Sequence, residues 1–302
     1  MGLPRIPLLL LMITSPALAL LSSEPDITEA IIGGQFASPG MFPHHVYFTV
    51  MAYGKYNTPE STFCGASLIS TTRVLTAAHC VHRMVPGSGV VMAGSIHQNQ
   101  PSSSTQRGNV TRVHIHTEYH PMGLGNDIAV LEINPPLKLN QNVGVIKILR
   151  NDLPLITMRT AVISGFGLTA VSGRQPVNSD QLRYVYVDLY HHNYCRQQWV
   201  RQGMPMNYGQ ICAGGRDKGA GPVSGLFFTK LLNLSKGDSG GPLVVYINNR
   251  IFQIGLTSYG PDPERQAHVM LHYQDYLPVV YTRVAWYCNF IEQYAPGTCV
   301  YN

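Results

Sequence analysis

Short runs of aromatic and β-branched residues recur along this chain, each closed off by glycine, proline or asparagine, and that rhythm leaves few fold classes open. The runs fall at residues 45–51, 110–115, 128–133, 160–163, 184–189, 243–247 and 252–256. Segments of this length and composition, with turn residues between them, read as strands. Their number and spacing predict an all-β sandwich or barrel. The 29 glycines and 21 prolines leave little room for long helices. One segment near the end, 285–294, has helical spacing and would put Trp286, Phe290 and Ile291 on one face. There is no heptad, internal repeat or low-complexity tract. The 302 residues suffice for one large β domain or two small packed ones. Charged residues make up 12%, about half the usual share. A disordered chain would show more charge and fewer aromatics.

The N-terminus reads as an address rather than as part of the fold. Arg5 precedes the apolar run Leu8-Leu9-Leu10-Leu11-Met12-Ile13, and Ala17-Leu18-Ala19 has the form of a small-residue cleavage site. Thr14, Ser15 and Pro16 interrupt the run, which is short for a bilayer span, so a removed signal peptide is preferred to a membrane anchor. The expectation is a secreted, extracellular protein with no membrane partner. The net charge of +5 is spread without a basic run or aromatic interleaving, which argues against nucleic acid as a partner. Six cysteines in a secreted chain point to disulfides, and there is no CxxC pair to suggest zinc. Six cysteines allow fifteen pairings, so spacing does not choose among them. His114, His116 and His120 invite a metal reading, and His114 and His116 would share one face of a strand. No carboxylate partner is placed beside them, so surface and turn histidines are preferred, and neither metal nor cofactor is expected.

Three local patterns carry chemistry. The first is Lys236-Gly237-Asp238-Ser239-Gly240-Gly241-Pro242. A serine hydroxyl attacks only when a base takes its proton and donors await the oxyanion. Glycines on both sides of Ser239 let backbone N–H groups turn towards a substrate. The second is Thr76-Ala77-Ala78-His79-Cys80, a histidine among small residues that leave room for its ring. The third is Asn126-Asp127-Ile128-Ala129-Val130-Leu131, an aspartate leading into an apolar strand. A carboxylate buried there needs a partner, and an imidazole N–H is a suitable one. Taken alone, Asp127 reads as a turn residue and His79 as structural; together, in the order His, Asp, Ser, the three are far more specific.

This constellation resembles the trypsin/chymotrypsin family of serine proteases. Further matches are Ile31-Ile32-Gly33-Gly34, Cys64-Gly65-Ala66-Ser67-Leu68-Ile69, Ser164-Gly165-Phe166-Gly167, Ile211-Cys212-Ala213-Gly214, Ser258-Tyr259-Gly260 and Val280-Tyr281-Thr282-Arg283-Val284. The resemblance runs from Ile31 to about Ile291. It implies two six-stranded antiparallel β-barrels with a short C-terminal helix and an active site in the cleft between them. It divides the chain into a signal peptide at 1–19, an activation propeptide at 20–30 and a protease domain at 31–302. It implies Ser239 as nucleophile, His79 as general base and acid, Asp127 as the group that orients His79, and the N–H groups of Gly237 and Ser239 as the oxyanion hole. It implies that cleavage before Ile31 frees an ammonium that pairs with Asp238. Ser258 and Gly260 would hold the substrate backbone as an added strand. The family pattern implies disulfides Cys64–Cys80 and Cys195–Cys212, and parity leaves Cys288–Cys299. The implied partners are polypeptide substrates and protein protease inhibitors, with the protease itself a monomer.

The chain departs from the family where specificity is set. Ala30, not Arg or Lys, precedes Ile31, so the activator would be a protease that prefers small residues, this enzyme itself being one candidate. Simple counting puts Asn233 at the pocket base, where a trypsin has aspartate, and Val279 stands where a glycine usually lines the wall. A shallow, uncharged pocket favours small residues. The segments 216–235 and 261–278 are longer than usual, and both cysteines that normally tie them are missing. Asn233-Leu234-Ser235 is also a glycosylation sequon, which would need Asn233 exposed, and Asn109-Val110-Thr111 is a second. Two rival functions remain: a catalytically inactive homologue acting as a secreted binding protein, and a hydrolase acting on esters.

Overall fold

The computed structural model describes residues 34–54, 56–100, 102–121, 125–156, 160–172, 175–214, 238–260 and 277–301. The expected signal peptide, propeptide and Ile31 lie outside the described residues, as do Asn233 and Gly237.

In chain order the first strands are β1 (Gln35–Phe36), β2 (His45–Tyr53), β3 (Pro59–Ser70), β4 (Arg73–Thr76), β5 (Val90–Ala93), β6 (Gln106–Ile115) and β7 (Ala129–Asn134). Strands β2-β3-β4-β7-β6-β5 close into a six-stranded antiparallel barrel. Then come β8 (Lys147–Leu149), β9 (Thr160–Gly165), the hairpin β10 (Leu168–Ser172) and β11 (Gln175–Asn178), and β12 (Arg183–Tyr190). Helix α1 (His192–Val200) leads to β13 (Gln210–Gly214), β14 (Pro242–Ile247), β15 (Arg250–Tyr259) and β16 (Val279–Arg283). Helix α2 (Cys288–Tyr294) and β17 (Cys299–Val300) end the described chain. The order β14-β9-β12-β13-β16-β15, with β14 pairing back onto β15, closes a second six-stranded ring. Strands β1, β8 and β17 are appended to it, the last two in parallel pairing.

All seven sequence-read runs fall on strands, with only Ile128 lying just ahead of β7, and their period-2 pattern explains the packing. Along β2, Val46, Phe48 and Val50 fill the first barrel, with Leu68, Val91 and Leu131 among their neighbours. Tyr47, on the other face, joins the layer between the barrels with Ile128, Phe166 and Leu256. The second barrel is filled by Ile163, Val187, Ile211, Leu243, Ile254 and Tyr281. A strand that is buried on both faces cannot alternate polar and apolar residues, which is why β2 reads as an apolar run.

The C-terminal helix differs from its sequence reading. Residues 284–287 form a 3₁₀ turn before α2, so the helical phase breaks at Tyr287. Trp286 is 58% exposed, while Tyr287, Cys288 and Ile291 face inward. With three residues per turn the 3₁₀ segment rotates Trp286 off the face shared by Phe290 and Ile291. Of the three histidines read as surface and turn residues, His120 is exposed, while His114 and His116 are half-buried. His114 stacks on Tyr294 at 3.9 Å, and its Nε2 lies 2.8 Å from Glu132 Oε1, a carboxylate the sequence did not place. His116 packs against Tyr287 and Phe290. The two rings bind α2 to β6 of the first barrel.

The disulfides are Cys64–Cys80, Cys195–Cys212 and Cys288–Cys299, and no cysteine is free. The first two close loops of 16 and 17 residues, each worth about 3 kcal/mol in the chain-entropy model.

Candidate active site

The site is built where the two barrels meet, from residues just after β4 (His79) and just before β7 (Asp127) and β14 (Ser239). Asp127 follows Asn126, whose φ of +57° makes a sharp turn that asparagine tolerates. Asn126 is fixed there because its Nδ2 donates to Glu118 O at 3.1 Å and its Oδ1 accepts from the Tyr287 hydroxyl at 3.1 Å. Asp127 is thereby turned inward at the head of β7 and is 4% exposed.

His79 lies in a single 3₁₀ turn, Ala78–Cys80, fixed by the Cys64–Cys80 bridge. Its backbone N–H donates to Asp127 Oδ1 at 2.8 Å, and its Nδ1 lies 2.8 Å from Asp127 Oδ2. The Ser258 hydroxyl donates to the same Oδ2 at 2.6 Å, and the Thr282 hydroxyl donates to the Asp127 carbonyl at 2.8 Å. Asp127 of the first barrel is therefore held by two hydroxyls of the second, one on its carboxylate and one on its backbone carbonyl. Burial alone would raise the Asp127 carboxyl. The His79 charge and the hydrogen bonds from His79 and Ser258 outweigh burial and hold it below the ordinary carboxylate value.

Ser239 is buried and its turn is bonded to both barrels. Gly65 N–H donates to Ser239 O at 2.9 Å, and Gly240 N–H donates to Thr257 O at 2.8 Å. Thr257 N–H returns a bond to Gly241 O at 3.0 Å. Gly240 has φ +74°, and a Cβ there would stand 2.2 Å from Thr76 Oγ1 and 2.7 Å from Gly65 O. Only glycine fits, because the conformation is left-handed and one obstruction is backbone. Gly240→Ala is expected to destabilise the fold by more than the ~1–2 kcal/mol of left-handed strain alone. Urea unfolding of the variant checks this; a change below about 0.5 kcal/mol, the size of an ordinary surface change, would contradict it.

Asp238, beside Ser239, is also buried, and its Oδ1 accepts from Gly167 N–H at 2.9 Å. Its expected partner Ile31 lies outside the described residues, as does the oxyanion donor Gly237. Gly260 follows β15 and is buried. Val279 is buried with Ala213 and Tyr281 among the side chains of the second barrel. Asn233 lies outside the described residues.

One role and one position went beyond the sequence reading. Ser258 was read as a substrate-binding residue, whereas its side chain also serves Asp127. Trp199, fully buried on α1, donates from Nε1 to Pro278 O at 2.9 Å and meets Tyr259 edge-on at 4.9 Å. It thus props β15 and the entry to β16, the two segments that border the site, from behind. The only hint in the sequence is the Cys195–Trp199 spacing of four, one helical face. Trp199→Phe keeps the ring but strands a buried carbonyl, and is expected to lower stability by about 1–3 kcal/mol in chemical unfolding.

Cys64 Sγ, His79 and Cys80 Sγ offer three potential metal donors within 4.8 Å of one another. The sulfurs are bonded to each other, so neither is a thiolate, and His79 is engaged with Asp127. The cluster's chemistry does not suit a metal.

With this geometry in place, comparison with known proteins is direct. A family model described as Trypsin matches residues 31–291. Coagulation factor IX of Oryctolagus cuniculus is 30% identical over 273 residues, 89% of this chain and 85% of that protein. Trypsin zeta of Drosophila erecta is 32% identical over 232 residues, 74% of each chain. Chymotrypsin-C of Mus musculus is 26% identical over 275 residues, 89% of this chain and 90% of that protein.

Proposed function

The chain belongs to the trypsin family of serine proteases, and from that premise we propose that it is a secreted serine endopeptidase working through Ser239, His79 and Asp127. The observation that supports this most directly is the hydrogen-bonded row from His79 to Asp127 to Ser258, with bonds of 2.8 and 2.6 Å. In this reading Ser239 Oγ attacks the scissile carbonyl carbon while its proton passes to His79 Nε2. The N–H groups of Gly237 and Ser239 receive the oxyanion. The tetrahedral intermediate collapses, His79 gives its proton to the leaving amine, and an acyl-enzyme remains. Water, deprotonated by His79, hydrolyses that ester and regenerates Ser239.

The mature chain begins at Ile31, after removal of residues 1–19 and then 20–30. The new ammonium pairs with Asp238. Removing one member of such a buried pair costs about 3–5 kcal/mol, enough to order the neighbouring oxyanion turn. Ser258 and Gly260 bind the substrate backbone. Val279, together with Asn233, leaves a shallow uncharged pocket for small side chains. Asn109 is exposed on β6 and is open to glycosylation.

Labelling of the processed protein with a fluorophosphonate, beside a Ser239→Ala control, tests the reading. Labelling and peptide cleavage after small residues are expected. No labelling of protein that begins at Ile31 would favour a binding protein. Labelling with ester but no peptide hydrolysis would favour an esterase.

A further inference from the structure

His44 and His45 stand at the entry to β2 and are buried, at 1% and 6% exposure. Neither nitrogen of His44 and not Nε2 of His45 has a hydrogen-bond partner among the described residues. The remaining nitrogen, His45 Nδ1, lies 2.9 Å from Ser164 Oγ on β9, so this one bond crosses from the first barrel to the second. The His45 and Tyr47 rings both meet Phe166 edge-on, at 5.9 and 5.1 Å. Ser164 and Gly165 point to opposite faces of β9. Behind that second face is Asp238: a Cβ on Gly165 would stand 1.9 Å from Asp238 Oδ1, and one on Gly167 2.0 Å from Oδ2. Gly167 N–H donates to Asp238 Oδ1 at 2.9 Å. The seat of the carboxylate beside Ser239 is therefore a short backbone segment that His45 and Tyr47 hold from the other side.

We propose that neutral His45 is a positioning residue for the Ser239 turn: it holds residues 164–167 so that they seat Asp238, and its protonation releases that seat. The proposal rests on the reading of Ser239 as nucleophile. It goes beyond that reading by giving the Ser239 turn an acid limit that does not depend on His79.

The chemistry follows from what surrounds the rings. A doubly protonated His45 ring carries a proton on Nε2, for which no acceptor stands among the described residues. A buried charged donor without a partner is strongly unfavourable. Among the described residues no acid or guanidinium offsets it. Ser67 faces His45 across β3 and gives its hydroxyl to Gln253 Oε1. Ser164 faces it from β9, Phe42 edges His44, and Phe166 edges His45. The one electrostatic interaction on His45 is repulsion from His44. Burial lowers both rings to about 3. A histidine depressed in the fold stabilises it above the unfolded value near 6.5, and that contribution is lost as pH falls from about 6.5 towards about 3. At pH 4.5 an opened state with the rings in water gains about 100-fold per histidine relative to neutral pH.

The test uses the processed full chain and two readouts. Hydrogen exchange over residues 160–172, corrected for intrinsic rate, is compared at pH 7.5 and 4.5. Fluorophosphonate labelling is followed across the same range. Wild-type protection of 164–167 should fall by about 100-fold or more, and labelling should decline with more than one proton. His45→Gln keeps a hydrogen-bonding group for Ser164 and never gains a charge. It should label normally at neutral pH, protect 164–167 at least about tenfold better at pH 4.5, and show a shallower acid limb. Ser164→Ala, which removes only the partner, should weaken protection already at neutral pH. Equal protection and equal acid limbs in wild type and His45→Gln would overturn the proposal. If processed wild type fails to label at neutral pH, the endopeptidase reading falls, and the exchange comparison still decides the role of His45.

Discussion

Asp127→Asn is expected to lower kcat/KM on peptide substrates, and the rate of fluorophosphonate labelling, by about 10⁴-fold while leaving the protein folded. That magnitude is the one the triad aspartate has in this protease family and is inherited rather than obtained from the distances. The direction does follow from the geometry. Asp127 Oδ1 accepts from the His79 backbone N–H, a donor that cannot invert its role. An asparagine must therefore set its carbonyl oxygen there and place its amide NH₂ where Oδ2 was. That NH₂ then faces His79 Nδ1, which must give up its proton and become an acceptor. The proton moves to Nε2, and the ring can no longer receive one from Ser239. The Ser258 hydroxyl, which donates to Oδ2 in the wild type, can rotate to accept from the amide, so folding is not expected to suffer. Circular dichroism and urea unfolding separate the two effects. A variant within tenfold of wild-type activity, roughly 1.4 kcal/mol in the barrier, would remove Asp127 from the mechanism.

What the sequence made legible, and what it did not, divides along chain distance. His79 and Ser239 were visible because their local chemistry is distinctive: small residues around an imidazole, glycines around a hydroxyl. Asp127 was visible only through its company, since a polar residue heading an apolar strand is common. The all-β class was legible because each strand run carries its own signal, whereas the division into two barrels came only with the family resemblance. The links that assemble the site were not legible. The bond from Ser258 to Asp127 joins residues 131 apart, and that from Thr282 to Asp127 spans 155. No local pattern marks a serine or threonine as the far end of such a bond. Trp199 was hidden for the same reason, because its value lies in reaching Pro278, 79 residues on. His45 opened a run read for its strand propensity, and His44 stood just before it. Their burial on both sides depends on the second barrel, which β2 cannot announce by itself. Trp286 was misplaced because a helical wheel assumes one period, and the 3₁₀ turn has another.

Asp152→Ala is expected to lower unfolding free energy by about 3–5 kcal/mol, the effect of stripping one partner from a buried ion pair. Asp152 is 1% exposed at its side chain and Arg283 is 11%. Arg283 Nε donates to both carboxylate oxygens, at 3.1 and 2.9 Å, and its Nη2 donates to Oδ1 as well. The pair is no ornament of the surface. Asp152 lies just past β8, its carbonyl accepting from the N–H groups of Leu155 and Ile156, while Arg283 ends β16. The bond thus ties the chain between the barrels to the strand whose Thr282 holds Asp127. The contrast is Arg73 with Glu132, 3.5 Å apart with both side chains about a quarter exposed, where removal should cost at most about 1 kcal/mol. Salt distinguishes the two, because ions in solution screen the exposed pair and not the buried one. So does the double variant. If the loss in Asp152→Ala comes from a guanidinium left without its carboxylate, then Asp152→Leu combined with Arg283→Leu should be closer to wild type than Asp152→Ala. A double variant that loses as much as the single, or more, would mean that the pair acts through packing and not through charge. Urea unfolding with the disulfides intact measures both, at low salt and at 1 M, where the Debye length falls to about 3 Å.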